Sequence, residues 1–120
     1  MAFSDFLADR VRQYLQGKGG LEEKKMMGGL VFMLNGKMCV GVDVDKSDGS
    51  DRLMVRVGKD NFDELLGANG AKKMDFTGRP MKGYLFIDPE GFDTDEQLRF
   101  WLEHAVKFNS ILIEKEGLKK

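Results

Sequence analysis

One cysteine, one histidine and one tryptophan stand among 120 residues. Because Cys39 is alone, no internal disulfide can form, and a cysteine-based metal cluster is excluded by count. His104 is equally alone. No apolar run approaches the ~20 residues that cross a bilayer, so no membrane span is expected. An excess of charge is also missing: nineteen basic residues face twenty acidic ones, for a formal net charge of -1. A domain built for duplex DNA gathers basic residues to neutralise phosphates and release counterions, so direct DNA binding is an alternative that the charge disfavours. The stretch Phe3 to Leu15 interleaves acids and arginines with apolar residues. It has neither the apolar centre of a signal peptide nor the acid-poor bias of a transit peptide, and the expectation is a cytoplasmic protein.

What is present describes an ordinary folded domain. Hydrophobic residues at 42% and charged residues at 32% suit a globular chain rather than a disordered one. At this length one core buries roughly two-thirds of the surface of the unfolded chain, so residues 1–120 are expected to form a single domain.

The apolar pattern then sets the elements. Phe3, Phe6, Leu7, Val11, Tyr14 and Leu15 recur at helical intervals, with Ser4 or Asp5 near the start and Gly17 at the end. Glu22 to Met27 is compatible with a short strand. Leu30 to Leu34 and Lys37 to Val44 flank Asn35-Gly36, the pair that most readily takes the two positive φ values of a type I′ hairpin turn. "DKSDGSD", residues 45 to 51, is loop composition, and Arg52 to Val57 alternates as a strand. Lys59 to Leu66 has helical spacing and stops at Gly67. Lys72 to Phe76 and Met81 to Asp88 form two more strands around Thr77-Gly78-Arg79-Pro80, and Asp88-Pro89-Glu90-Gly91 suits a type I turn, with Asp88 bonding its own backbone. Thr94 and Gln97 make a capping box ahead of a long helix whose stripe is Leu98, Trp101, Leu102, Ala105, Phe108, Asn109 and Leu112, fraying near Gly117. The order α-β-β-β-α-β-β-α defines an α+β domain with helices on one face of a mainly antiparallel sheet.

Four runs, "KKMMGGLVFMLNGKMCVGV", "DRLMVRVG", "MDFTGRPMKGYLFIDPEG" and "LRFWLEHAVKF", occur in an order and spacing that resemble the TfoX N-terminal domain family, named for a regulator of natural competence. The resemblance covers about residues 6 to 110. Met27 departs from it, standing where the family places an aromatic, and is read as a packing change. The resemblance implies an α-β(3)-α-β(2)-α arrangement similar to secretion-chaperone-like domains. It implies a stand-alone domain without the second, helical domain of the competence regulators, so their role is not carried over whole. It supplies no catalytic residues.

The residues themselves offer few chemistries. Counting across the Asn35-Gly36 turn pairs Leu34 with Lys37, Met33 with Met38 and Phe32 with Cys39, which puts the thiol beside an aromatic as a semi-buried structural cysteine. No cation or helix start stands ready to lower its pKa. His104 is expected at the rim rather than in catalysis. Gly28-Gly29 precedes a strand, not the helix that a phosphate loop needs, and suits a bulge or a close backbone crossing. The acids from Asp43 to Asp51 lack the glycine and glutamate spacing of a calcium loop and fit a solvated turn.

The same count places Val31, Met33, Met38, Val40 and Val42 on one sheet face and Leu30, Phe32, Leu34, Cys39 and Gly41 on the other. Both faces are apolar, so the second needs a cover: the last helix, a second subunit or a ligand. Arg56, Arg79, Tyr84 and Phe32 are the candidate ligand or partner contacts. The leading expectation is a non-enzymatic regulatory module that binds a protein partner or itself as a homodimer, with no cofactor and no metal. The alternatives are a small-molecule or nucleotide binder, or an enzyme, using the arginine and aromatic sheet face.

Overall fold

The first helix follows from local chemistry. The Ser4 hydroxyl accepts the Leu7 N–H at 3.2 Å and caps α1 (Asp5–Leu15), and Leu7, Ala8, Val11 and Leu15 form its buried stripe. Phe6, expected within that stripe, instead stays 74% exposed, because it sits one step of about 100° off the Leu7–Val11–Leu15 line.

The computed structural model describes residues 3–18, 20–26, 28–76 and 79–118, and their side chains apart from 74–76, 79–82 and 117–118. After α1 come β1 (Leu21–Met26), β2 (Gly29–Leu34), β3 (Lys37–Val44), β4 (Asp51–Arg56), α2 (Lys59–Leu66), β5 (Ala71–Phe76) and β6 (Arg79–Ile87). A 3-10 turn at Pro89–Gly91 then leads into α3 (Asp95–Leu118). The strands make one antiparallel sheet in the order β1-β2-β3-β4-β6-β5.

The α+β class and the one-sided helical layer agree with expectation, but four strands rather than three precede α2. β1 is polar and almost wholly exposed, which is why periodicity alone does not mark it as a full strand. It is held by pairing with β2 and by Arg12 of α1, which donates to both Glu23 carboxylate oxygens at 2.6 and 2.7 Å. That pair keeps the Glu23 carboxyl below its ordinary pKa, chiefly through the Arg12 hydrogen bond. Charges at both sheet edges, Glu22 to Lys25 in β1 and Lys72 with Lys73 in β5, discourage pairing with further strands.

Asn35 and Gly36 take φ values of 54° and 80°, as the hairpin turn requires. Beyond the turn the register departs from a simple count. Leu34 pairs with Lys37 and Met33 with Met38, but Phe32 pairs with Val40, leaving Cys39 as the extra residue of a β-bulge. The expected Phe32–Cys39 pairing is thus corrected. Because side chains alternate with period two, one extra residue turns over the rest of the strand. Leu30, Phe32 and Leu34 therefore share a face with Val40 and Val42, while Val31 and Met33 share the other with Met38 and Gly41.

All three helices lie on the first of these faces. Leu7, Val11, Phe62, Leu65, Trp101 and Leu102 join Phe32, Val40, Leu53, Val55, Leu85 and Ile87 in a single buried cluster. The α3 capping box forms as expected, with Thr94 and Gln97 exchanging side-chain to backbone bonds at 3.0 and 3.1 Å, and the α3 backbone continues past Gly117 to Leu118. Asp88 does not bond its own backbone; its carboxylate meets Lys72 Nζ at 2.6 Å, across the sheet edge. The turn itself is closed by Gly91 N–H donating to the Asp88 carbonyl at 2.8 Å. Residues 77 and 78 of the expected Thr77–Pro80 connection, and Met27, lie outside the described residues.

Two polar side chains of α3 lock it to the sheet. The buried Trp101 indole donates to the Gly91 carbonyl at 3.0 Å. Asn109, buried in what otherwise looks like an apolar stripe, donates to the Leu34 carbonyl at 3.0 Å and accepts from the Asn35 amide at 3.3 Å, tying the β2–β3 turn to the helix. Asn109→Leu leaves the Leu34 carbonyl without its buried donor and is expected to cost about 1–3 kcal/mol. Urea unfolding should show a lower midpoint with an unchanged slope. Trp101→Ala is expected to cost about 3–5 kcal/mol by the same measurement, since it also opens a cavity.

Candidate functional site

The face of the sheet away from the helices carries a continuous row across six strands: Lys24, Val31, Gly41, Met54, Phe86 and Lys72 stand opposite one another from β1 to β5. Val31 and Met54 are only 3% and 4% exposed, yet neither belongs to the helix-covered cluster. Gly41 makes this packing possible, because a Cβ there would come within 3.0 Å of the Met54 methyl group. The result is a small second apolar layer with lysines at either end.

Two arginines of β4 flank Met54, each over an aromatic ring of β6. Arg52 lies 3.7 Å from the Phe86 centroid and is held by Asp43, which accepts from its Nε and Nη2 at 2.9 and 2.8 Å. Beside this pair a cavity of about 220 Å³ opens, lined by Met26, Val31, Met54, Phe86, Lys46 and the backbone of Gly28 and Gly29. Gly29 serves close approach, as expected: a Cβ there would collide with the Val42 carbonyl oxygen, whereas Gly28 has open space around it and takes a φ of +78°.

At the other end Arg56 stands opposite Tyr84, with its guanidinium 5.3 Å from that ring and 5.6 Å from the ring of Phe108. Phe108 reaches this position from α3 by passing over Gly58, where its ring carbons come 2.4 Å from an added Cβ. A second cavity of about 420 Å³ is bounded here by the end of β4, the start of α2, β6 and the last turns of α3.

The structure thus brings Arg56 and Tyr84 together and removes Phe32 from them. Phe32 is fully buried on the opposite face, with Arg12 of α1 5.9 Å from its ring, because the bulge at Cys39 reverses the phase on which the grouping rested. Arg79 pairs through its backbone with Phe76, and its side chain lies outside the described residues. Arg52 and Phe108 are the residues that the sequence did not single out. Arg52 was visible as the partner of Met54 and Arg56 in an alternating strand, whereas Phe108 shared the periodicity of a core residue and carried no separate signal.

The other candidates settle into structural roles. Cys39 is buried in the bulge, and burial pushes its thiol from an ordinary 9.0 up to about 12, against the smaller opposing pull of Arg56. His104 is half-buried on α3 with its ring edge-on to Phe100 at 4.8 Å. In the loop, Asp45 accepts from the backbone and hydroxyl of Ser47, and Asp48 from those of Ser50, so both carboxyls fall below their usual range while closing turns. Among the described residues no group of three or more His, Cys, Asp or Glu side chains is placed to hold a metal ion. No described helix is long and apolar enough to cross a membrane.

A six-stranded antiparallel sheet covered by helices on one side, with the other side left apolar and edged by stacked arginines, defines the class: a small α+β domain with an open sheet face. The TfoX N-terminal domain model matches residues 13–109, and the chain belongs to that family. No curated protein matches it. A crystal structure of a protein from Pseudomonas syringae, solved by the Northeast Structural Genomics Consortium, has the same fold, with a TM-score of 0.56 at 12% identity over 81% of this chain and 93% of the other.

The buried thiol gives a direct test. Native protein at pH 8 is expected to leave Cys39 unmodified by a disulfide-exchange reagent, with full reaction once urea is added. The sign of the pH effect follows from the raised pKa: the contribution of Cys39 to stability is complete below the unfolded value of 9.0 and is lost as pH rises through about 12. Cys39→Ala should flatten the alkaline fall in stability measured by urea titration.

Proposed function

We propose that this chain is a regulatory binding module of the TfoX N-terminal kind, acting without catalysis, and that it docks a protein partner on the helix-free face of its sheet. The observation that carries this reading is the row Val31–Gly41–Met54–Phe86, an apolar layer outside the helix-covered core and beside a cavity of about 220 Å³. Lys24, Lys46, Lys72 and the Arg52–Asp43 pair surround that layer, an arrangement of apolar centre and polar rim that suits a protein interface. Arg56 and Tyr84 continue the same face and are of the residue types that most often dominate such contacts. A second copy of the chain is the first partner to test. The competence regulators give the module its regulatory context through family membership alone.

Sedimentation velocity over a concentration series is expected to show a reversible dimer. Phe86→Glu, at a half-buried position, should weaken it about tenfold or more, as removal of a central contact does. Amide shifts that respond to concentration only on the outer surfaces of the helices, with residues 31, 41, 54 and 86 silent, would count against the sheet face. Binding to random duplex DNA that strengthens as salt is lowered would move the reading to a DNA-contacting regulator.

A further inference from the structure

Three arginines packed against this fold find carboxylates: Arg10 meets Asp95, Arg12 meets Glu23 and Asp9, and Arg52 meets Asp43. Arg56 is half-buried and meets none among the described residues. Its guanidinium is held instead near the faces of Tyr84 and Phe108, at 5.3 and 5.6 Å. Neither contact pairs the cation with a carboxylate, so its N–H donors are left for a ligand, in the fork that matches a phosphate or carboxylate.

Those donors border the cavity of about 420 Å³, a volume within the range of roughly 300–1,000 Å³ typical of small-molecule sites. Lys59 and Lys115 line it together with Arg56, opposed by the single carboxylate of Asp60. In a chain of net charge -1, this local excess of cations selects an anion. Asn61 adds one amide, and the other side chains of the lining are ring and hydrocarbon: Tyr84, Phe108, Ile111 and Val57. Gly58 and Gly83, at φ +86° and +95°, form the floor, where side chains would fill space and strain the backbone.

We propose that this cleft binds a small phosphorylated ligand bearing a planar ring, of the nucleoside monophosphate class. The phosphate is received by Arg56 with Lys59 and Lys115, and the ring lies against Phe108 or Tyr84. Three cations around one cavity suit the dianionic charge of a phosphate monoester better than a single carboxylate. A ligand with the ring alone or the phosphate alone leaves half of the lining without a counterpart. The site adjoins the docking surface proposed above and shares Arg56 and Tyr84 with it, but it sits at the opposite end of the sheet face from the smaller cavity and needs no second chain.

The test is an amide chemical-shift titration of the full chain with AMP, GMP, CMP and UMP. Adenosine, inorganic phosphate and a short oligothymidylate serve as separate probes. At least one nucleoside monophosphate is expected to shift residues 56–61, 83–84 and 108–115 saturably, with adenosine and inorganic phosphate each binding more weakly. Arg56→Gln should lower that affinity about tenfold or more, the scale of a lost charge-assisted hydrogen bond. Lys59→Glu and Lys115→Glu alter exposed positions, keep the test valid if the arginine variant does not fold, and should also weaken binding. The proposal is overturned if no nucleoside monophosphate gives saturable shifts in the cleft, if the lysine variants leave the affinity unchanged, or if the oligonucleotide alone binds.

Discussion

A single inserted residue in β3 governs which side chains of this sheet meet the helices. Without the bulge at Cys39, Phe32 would share a face with the thiol, and Val40 and Val42 would turn away from the core. With it, Phe32, Val40, Val42, Leu53 and Val55 form one surface beneath α1, α2 and α3. The Cys39 thiol goes inside with them, and its chemistry is suppressed by the same burial. The structure therefore uses the cysteine as a small apolar filler at a point where the strand changes phase.

The opposite face is a consequence of that choice. Once the helices are committed to one side, Val31, Met54 and Phe86 must be screened by their own neighbours, and Gly41 lets Met54 lie flat between them. The two arginines of β4 lie on either side of Met54, over Phe86 and Tyr84. Their situations differ in one respect. Arg52 is neutralised by Asp43, which closes its donors, whereas Arg56 is held by rings alone and keeps its charge facing a cavity. Two chemically similar residues four positions apart thus become a structural clamp and a candidate binding group.

Much of this fold was legible because it rests on local rules. The Asn35-Gly36 turn, the Ser4 cap and the Thr94–Gln97 box are each decided within a few residues, and each formed as its residue types require. Other features were not legible. β1 escaped as a full strand because its stability comes from β2 and from Arg12, not from an apolar pattern of its own. Asn109 was grouped with apolar residues because its periodicity is that of the core, and only the Leu34 carbonyl 75 positions away explains a buried amide. Of the candidate site, the pairing of Arg56 with Tyr84 followed from strand alternation, while Phe32 was lost to the bulge.

The sequence by itself determined the class of the domain, the order of most of its elements, the chemistries that one cysteine and one histidine exclude, and membership of the TfoX N-terminal domain family. These depend on composition, on periods of two and 3.6, and on short turn and cap motifs, all of which act locally. Tertiary structure decided which face of the sheet is covered, where the thiol points, and that Phe108 meets Arg56 across Gly58. Each of those outcomes turns on a register or a packing contact between distant segments, and a shift of one residue in either is enough to reverse it.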